Sequence, residues 1–185
     1  MDRLARSGTD RTPRSGWRSR RLLAVLITVV TIAMSAVAFQ SPAQAYVGTN
    51  ILRNWETGRC LDSDWNGDVY TLPCDLPVGS NDHQIWEPIR RAHAEFDVVI
   101  LKNKATSRCL GWLPGKPNVI RTTVQCGYDG RATDIRVLWS AVGTGWANVL
   151  FRNNVGGEVL DSNRAGNVYP HAFNDGGFQH WKFGF

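Results

Sequence analysis

The chain has 185 residues, with 21 Lys+Arg against 16 Asp+Glu and a formal net charge of +5. That excess is local: residues 1–45 hold seven of the arginines and two of the acids, leaving 14 basic and 14 acidic side chains in 46–185. A neutral body has no basic field to hold phosphates, which argues against a nucleic-acid partner.

Residues 1–45 read as a secretory signal peptide. The Arg-rich start is followed by the uncharged run Leu22 to Phe39, the helix breaker Ser41-Pro42, and the small-x-small cleavage signal Ala43-Gln44-Ala45. The apolar run is 18 residues long, so an uncleaved anchor is the competing reading. Cleavage after Ala45 predicts a secreted, extracellular protein with no membrane attachment. The remainder, 46–185, is sized for one domain. It carries all four cysteines, Cys60, Cys74, Cys109 and Cys126, and an exported chain with an even cysteine count is expected to form disulfides.

From residue 46 onward short β-branched or aromatic runs alternate with Gly, Asn, Asp and Pro turns: "NILRN", "DVYTL", "DVVILKN", "NVIRTTVQC", "NVLFRN", "NVYPH". No amphipathic helical period of 11 residues interrupts them. The runs repeat. "ILRNWETGRCL" (51–61) lies over "ILKNKATSRCL" (100–110) with seven of eleven positions identical, and "LDSDWNGDVY" (61–70) over "LDSNRAGNVY" (160–169) with six of ten. The copies cover about 46–88, 97–141 and 147–185, and close on Trp86, Trp139 and Trp181, which are read as core because they recur in every copy. Three copies of short strands predict a closed all-β fold with threefold pseudo-symmetry, since closure removes exposed edges.

Symmetry also sorts the cysteines. Cys60 and Cys109 occupy one place in copies one and two, and Cys74 and Cys126 another, so the pairs Cys60–Cys74 and Cys109–Cys126 alone respect the repeat. Copy three has Val159 and Phe173 at these places, where an apolar contact is expected instead of a staple.

The pattern Gly-x-Cys-Leu-Asp, Gly-x-Val-Tyr-Thr-x-x-Cys and Gln-x-Trp, carried by Gly58 to Asp62, Gly67 to Cys74 and Gln84 to Trp86, resembles the ricin B-type lectins. That resemblance covers nearly all of 46–185 and implies a β-trefoil with three internal repeats. It implies a carbohydrate-binding module with up to two sugar sites, in copies one and three, where Asp62 and Asp161 stand right after the Cys-x position; copy two has Gly111. A carboxylate suits the task because it accepts two hydrogen bonds from adjacent sugar hydroxyls. Tyr70, Tyr169 and the turn residue Trp65 are candidates for the stacking face. His83 stands where the family has an Asn before its Gln-x-Trp, and His171 where it has an aromatic before the second cysteine. Gln84 and Gln179 complete the list of expected sugar-site residues, with the further reading that each satisfies backbone groups at the end of its repeat. Both aspartates are expected on exposed turns.

Other chemistry is weaker. With Asp62 as the first position of a calcium loop, the twelfth, which needs a bidentate Glu, is Pro73; no metal and no cofactor is expected. There is no nucleophile elbow and no His-Glu-x-x-His, and threefold symmetry separates the two aspartates, so catalysis is not expected. A monomer is expected. The rival reading is a trefoil that binds or inhibits a protein through the stretch "GWLPGKPNVI" (111–120), stiffened by Pro114 and Pro117 and anchored by Trp112.

Overall fold

The structure is a computed structural model that describes residues 48–115, 119–123, 126–127 and 134–184. The expected leader, 1–45, and residues 116–118 of the rival binding stretch lie outside the described residues.

Among the described residues twelve strands follow in chain order: β1 Asn50–Asn54, β2 Cys60–Ser63, β3 Val69–Leu72, β4 Ile85–His93, β5 Asp97–Asn103, β6 Cys109–Leu113, β7 Val119–Thr123, β8 Trp139–Gly143, β9 Val149–Asn153, β10 Val159–Ser162, β11 Val168–His171 and β12 Trp181–Phe183. Single 3-10 turns at Asp82–Gln84, Ile135–Val137 and Gly177–Gln179 precede β4, β8 and β12. Each copy therefore supplies four strands and one turn, in the same order.

The pairing closes. β1 pairs with β4, β4 with β5, β5 with β8, β8 with β9, β9 with β12, and β12 with β1, all antiparallel. That six-membered ring leaves no free edge within itself. The other six strands form the hairpins β2–β3, β6–β7 and β10–β11.

The interior explains the closing tryptophans. Trp86, Trp139 and Trp181 are each 0% exposed and meet Leu52, Leu101, Phe151 and the post-cysteine leucines Leu61, Leu110 and Leu160 in one cluster. Each indole N–H donates to the carbonyl of such a leucine: Trp86 to Leu61 at 2.9 Å, Trp139 to Leu110 at 3.0 Å and Trp181 to Leu160 at 3.0 Å. A buried indole keeps its apolar area while its one donor is satisfied. The repeated asparagines have a matching role. Asn54, Asn103 and Asn153 are buried and donate their amides to Phe178, His83 and Arg136 carbonyls in the 3-10 turns of a neighbouring copy. Their side-chain oxygens accept from Thr57, Thr106 and Val155 amides, closing the β1–β2, β5–β6 and β9–β10 turns. One residue type at one place thus welds each turn to the next repeat.

The hairpin tips interlock as well. Gly67 has φ +89° and its carbonyl accepts from the Thr122 amide at 2.9 Å; Gly166 has φ +93° and accepts from the Thr71 amide at 2.8 Å. A Cβ at these two positions would meet Thr122 O at 2.9 Å and Thr71 O at 2.7 Å, so glycine is required by approach as well as by φ.

Cys60 is bonded to Cys74 and Cys109 to Cys126, the pairing that the repeat symmetry demands. Three expectations need correction. In copy three Val159 is buried but Phe173 is half exposed, and the Arg152 guanidinium sits 5.7 Å over its ring; a cation–π contact, not an apolar plug, covers this face. Trp112 is 6% exposed and packs in the central cluster, so it is no anchor for a partner protein. Asp62 and Asp161 do not stand on exposed turns. They lie inside β2 and β10, at 3% and 4% exposure. The turns that follow begin two residues later: Asp64 accepts from the Asp68 amide at 2.9 Å, and Asn163 from the Asn167 amide at 3.1 Å.

Candidate functional site

Hairpin register decides what stands beside each aspartate. Asp62 is directly opposite Tyr70 across β2–β3, and Asp161 opposite Tyr169 across β10–β11. Directly opposite residues share a face of the hairpin, so each carboxylate has a phenol beside it. The 3-10 turn that closes the repeat brings the glutamine in from the other side.

In copy three Gln179 is fully buried and donates to Asp161 Oδ2 at 2.9 Å and to the Ala172 carbonyl at 2.8 Å, while its oxygen accepts from the Asn174 amide at 2.9 Å. Tyr169 donates its hydroxyl to the Ser162 carbonyl at 3.2 Å. The half-exposed His171 ring lies edge-on to Tyr169 at 6.2 Å, with Nδ1 3.0 Å from the Ala172 carbonyl and 3.7 Å from Asp161 Oδ2. Asp161 Oδ1 is buried with no hydrogen-bond partner.

Copy one has the same frame. Gln84 is buried, accepts from the Asp75 amide at 2.9 Å and donates to the Pro73 carbonyl at 3.1 Å. Tyr70 stands opposite Asp62 across the hairpin, and the Gln84 amide and the Tyr70 hydroxyl both favour the ionised carboxylate. His83 Nδ1 sits 2.6 Å from the Ser63 carbonyl, and Trp65, 65% exposed, stands edge-on to the His83 ring at 5.5 Å. Burial raises the Asp62 carboxyl above its ordinary pKa; the Gln84 amide and the His83 charge pull it down, Asp75 adds to the rise, and the Tyr70 hydroxyl lowers it. The phenols of Tyr70 and Tyr169 are also raised, first by burial and then by the charge of the aspartate beside each.

Copy two lacks this chemistry although its hairpin is present. Gly111 stands opposite Arg121, and Arg121 is committed to copy one, at 2.8 Å from Asp68 and 3.1 Å from the Asn66 carbonyl. Val137 takes the glutamine's place, and a Cβ on Gly111 would meet its Cγ1 at 3.3 Å.

The structure thus gathers Asp62, Tyr70, His83, Gln84 and Trp65 around one hairpin, and Asp161, Tyr169, His171 and Gln179 around another. Both glutamines hold backbone groups at the end of their repeat, and Gln179 holds the Asp161 carboxylate as well. Sequence reading missed Asp75 and Asn174, whose amides orient the glutamine oxygens; no motif or spacing marks them. Among the described residues no three Asp, Glu, His or Cys side chains converge as metal ligands.

No family model matches the chain, and no curated protein matches it. Solved structures do match. One is a designed threefold symmetric protein, ThreeFoil, at TM-score 0.59 and 15% identity, covering 75% of this chain and 99% of that one. The chain is a β-trefoil. A second similar structure is SeviL bound to asialo-GM1 saccharide, at TM-score 0.53 and 16% identity, covering 74% of this chain and 95% of that one. At these identities the likeness fixes the trefoil fold and leaves its sites to be argued from the side chains.

Proposed function

We propose that this β-trefoil is a secreted, monomeric carbohydrate-binding protein of the ricin B-type kind, with sugar sites in copies one and three, and that it binds without catalysing. The observation that carries this is the Asp161 carboxylate. Gln179 fixes one oxygen, and the other is buried without a partner. A buried acceptor left unsatisfied costs about 1–3 kcal/mol, and a ligand hydroxyl is the group that relieves it. The partly buried ring of Tyr169 and the exposed ring of His171 stand beside this carboxylate. Copy one pairs its aspartate with the exposed indole of Trp65, a flat face for the apolar side of a sugar ring. A saccharide-bound protein of the same fold and the two disulfides, which suit an oxidising compartment, support the reading. The aspartates belong to separate copies with separate hairpins, which suits two binding sites better than one catalytic pair.

A glycan array with the oxidised 46–185 chain tests this. Binding to at least one neutral glycan is expected, and silence across every glycan would overturn it.

A further inference from the structure

The pseudo-symmetry allows one position to be compared three ways. Across β4–β5, in the ring, Lys102 stands directly opposite Glu87; across β8–β9, Arg152 stands opposite Ser140; across β12–β1, the equivalent Arg53 stands opposite Lys182. Directly opposite side chains on an antiparallel pair are in reach of one another, and like charges there are destabilising. Two copies fill the place with an opposite charge or a hydroxyl. Copy one alone sets two cations side by side.

The residue two positions on differs in the same copy. Lys104 is paired with Asp82 at 2.8 Å, and Asn154 accepts from the Ser140 hydroxyl at 2.8 Å. The copy-one equivalent is Trp55, a tryptophan left 53% exposed. Its indole N–H donates to the Ala147 carbonyl at 3.1 Å, and its backbone amide to the His180 carbonyl at 2.9 Å, so the ring is held at both ends. Arg53 is held in turn by the Gly58 carbonyl, 3.0 Å from Nε. The nearby acid Glu56 is spent on Arg164 at 2.8 Å, and no carboxylate pairs with Lys182 among the described residues. Arg53, Asn54, Trp55 and Lys182 line a cleft of about 250 Å³.

We propose that this cleft is a third binding site, distinct from the aspartate sites, for an anionic pyranose: a uronate or a sulfated sugar. The apolar face of the sugar lies on the Trp55 indole, and the acid group sits between Arg53 and Lys182. A planar guanidinium grips a carboxylate or sulfate in two places, and the ammonium adds a point charge. The other two copies lack both the ring and the cation pair, so this site has no symmetry mate.

The test follows tryptophan fluorescence while the full chain is titrated with glucuronic acid, glucose 6-sulfate, glucose and inorganic sulfate. At least one of the anionic sugars is expected to bind about tenfold more tightly than glucose, and more tightly than inorganic sulfate; which of them binds names the source of the acid group. Lys182→Glu installs the charge pairing of copy two, so it is expected to keep or raise stability while weakening the anionic sugar about tenfold. Trp55→Asn installs the copy-three residue and is expected to weaken it similarly. Asp161→Ala, which disables the site proposed above, should leave this binding unchanged. Equal affinity for glucose, equal affinity for inorganic sulfate, unchanged binding in either cleft variant, or loss in Asp161→Ala would each overturn the proposal.

Discussion

Gln179 donates to Asp161 at 2.9 Å while also holding the Ala172 carbonyl and accepting from the Asn174 amide. The residue that closes the third repeat therefore also aims the carboxylate near its start. Gln179→Leu keeps the volume and strands all three partners. It is expected to destabilise the fold by about 2–4 kcal/mol, because each buried polar group left alone costs about 1–3 kcal/mol. Urea unfolding measures it. A loss under about 1 kcal/mol would mean that water replaces the amide and that the glutamine does not orient the aspartate.

The aspartates themselves are separable by binding. Asp161→Ala and Asp62→Ala are each expected to remove one class of sugar site, with a loss of about 1.5–3 kcal/mol, the range for a hydrogen bond to a charged acceptor. Calorimetry with the best array glycan reads both affinity and stoichiometry. Unchanged stoichiometry in the double variant would show that these carboxylates only organise their hairpins.

Asp62 gives a pH signature. Its folded pKa is raised above 3.8, chiefly by burial, so the folded chain keeps a proton over a range in which the unfolded chain has lost it. Stability is then fully present below 3.8 and falls as pH rises through the folded pKa. Asp62→Asn removes that loss. The variant is expected to be the more stable at neutral pH and equal to wild type once the medium is acid enough to protonate both states. Denaturation curves from about pH 3 to about pH 7 check this, and a variant that is less stable at neutral pH would show that the ionised carboxylate stabilises the fold.

The disulfides close loops of 14 and 17 residues. Replacing Cys60 and Cys74 together by Ala is expected to lower stability by about 3 kcal/mol, and the Cys109 and Cys126 pair by a similar amount. Peptide mapping that links Cys60 to Cys109 would contradict the repeat alignment and the structure together.

Much of this fold could be read from the repeated stretches. "ILRNWETGRCL" carries the strand, the turn-closing asparagine, the glycine turn and the cysteine in one unit; copy two has Ser107 at the glycine place and copy three Val159 at the cysteine place, yet the strand and its asparagine recur three times, so three units imply a closed ring. The aspartates were legible through their recurrence, but their depth was not. Asp62 precedes Ser-Asp-Trp-Asn-Gly, a turn-forming run, yet all four residues of β2 are buried, because this strand is covered on both faces and strand alternation leaves no trace in it. Trp112 was misread for a related reason: a tryptophan beside two prolines looks exposed until the β6–β7 pairing folds it inward. The Arg53–Lys182 pair lies in strands from opposite ends of the domain, and only ring closure makes them neighbours.

The interlock of Gly67 with Thr122 and of Gly166 with Thr71 has a consequence for cooperativity. The hairpin tips of copies one and three are each completed by the backbone of another copy, and each buried asparagine reaches into a neighbour's turn. No copy holds all the donors and acceptors that its own geometry requires. The domain should accordingly melt in a single transition despite its threefold pattern, and a ligand that tightens one hairpin should slow amide exchange in the hairpin its tip leans on. Repetition in the sequence thus built a molecule whose thirds cannot be tuned one at a time.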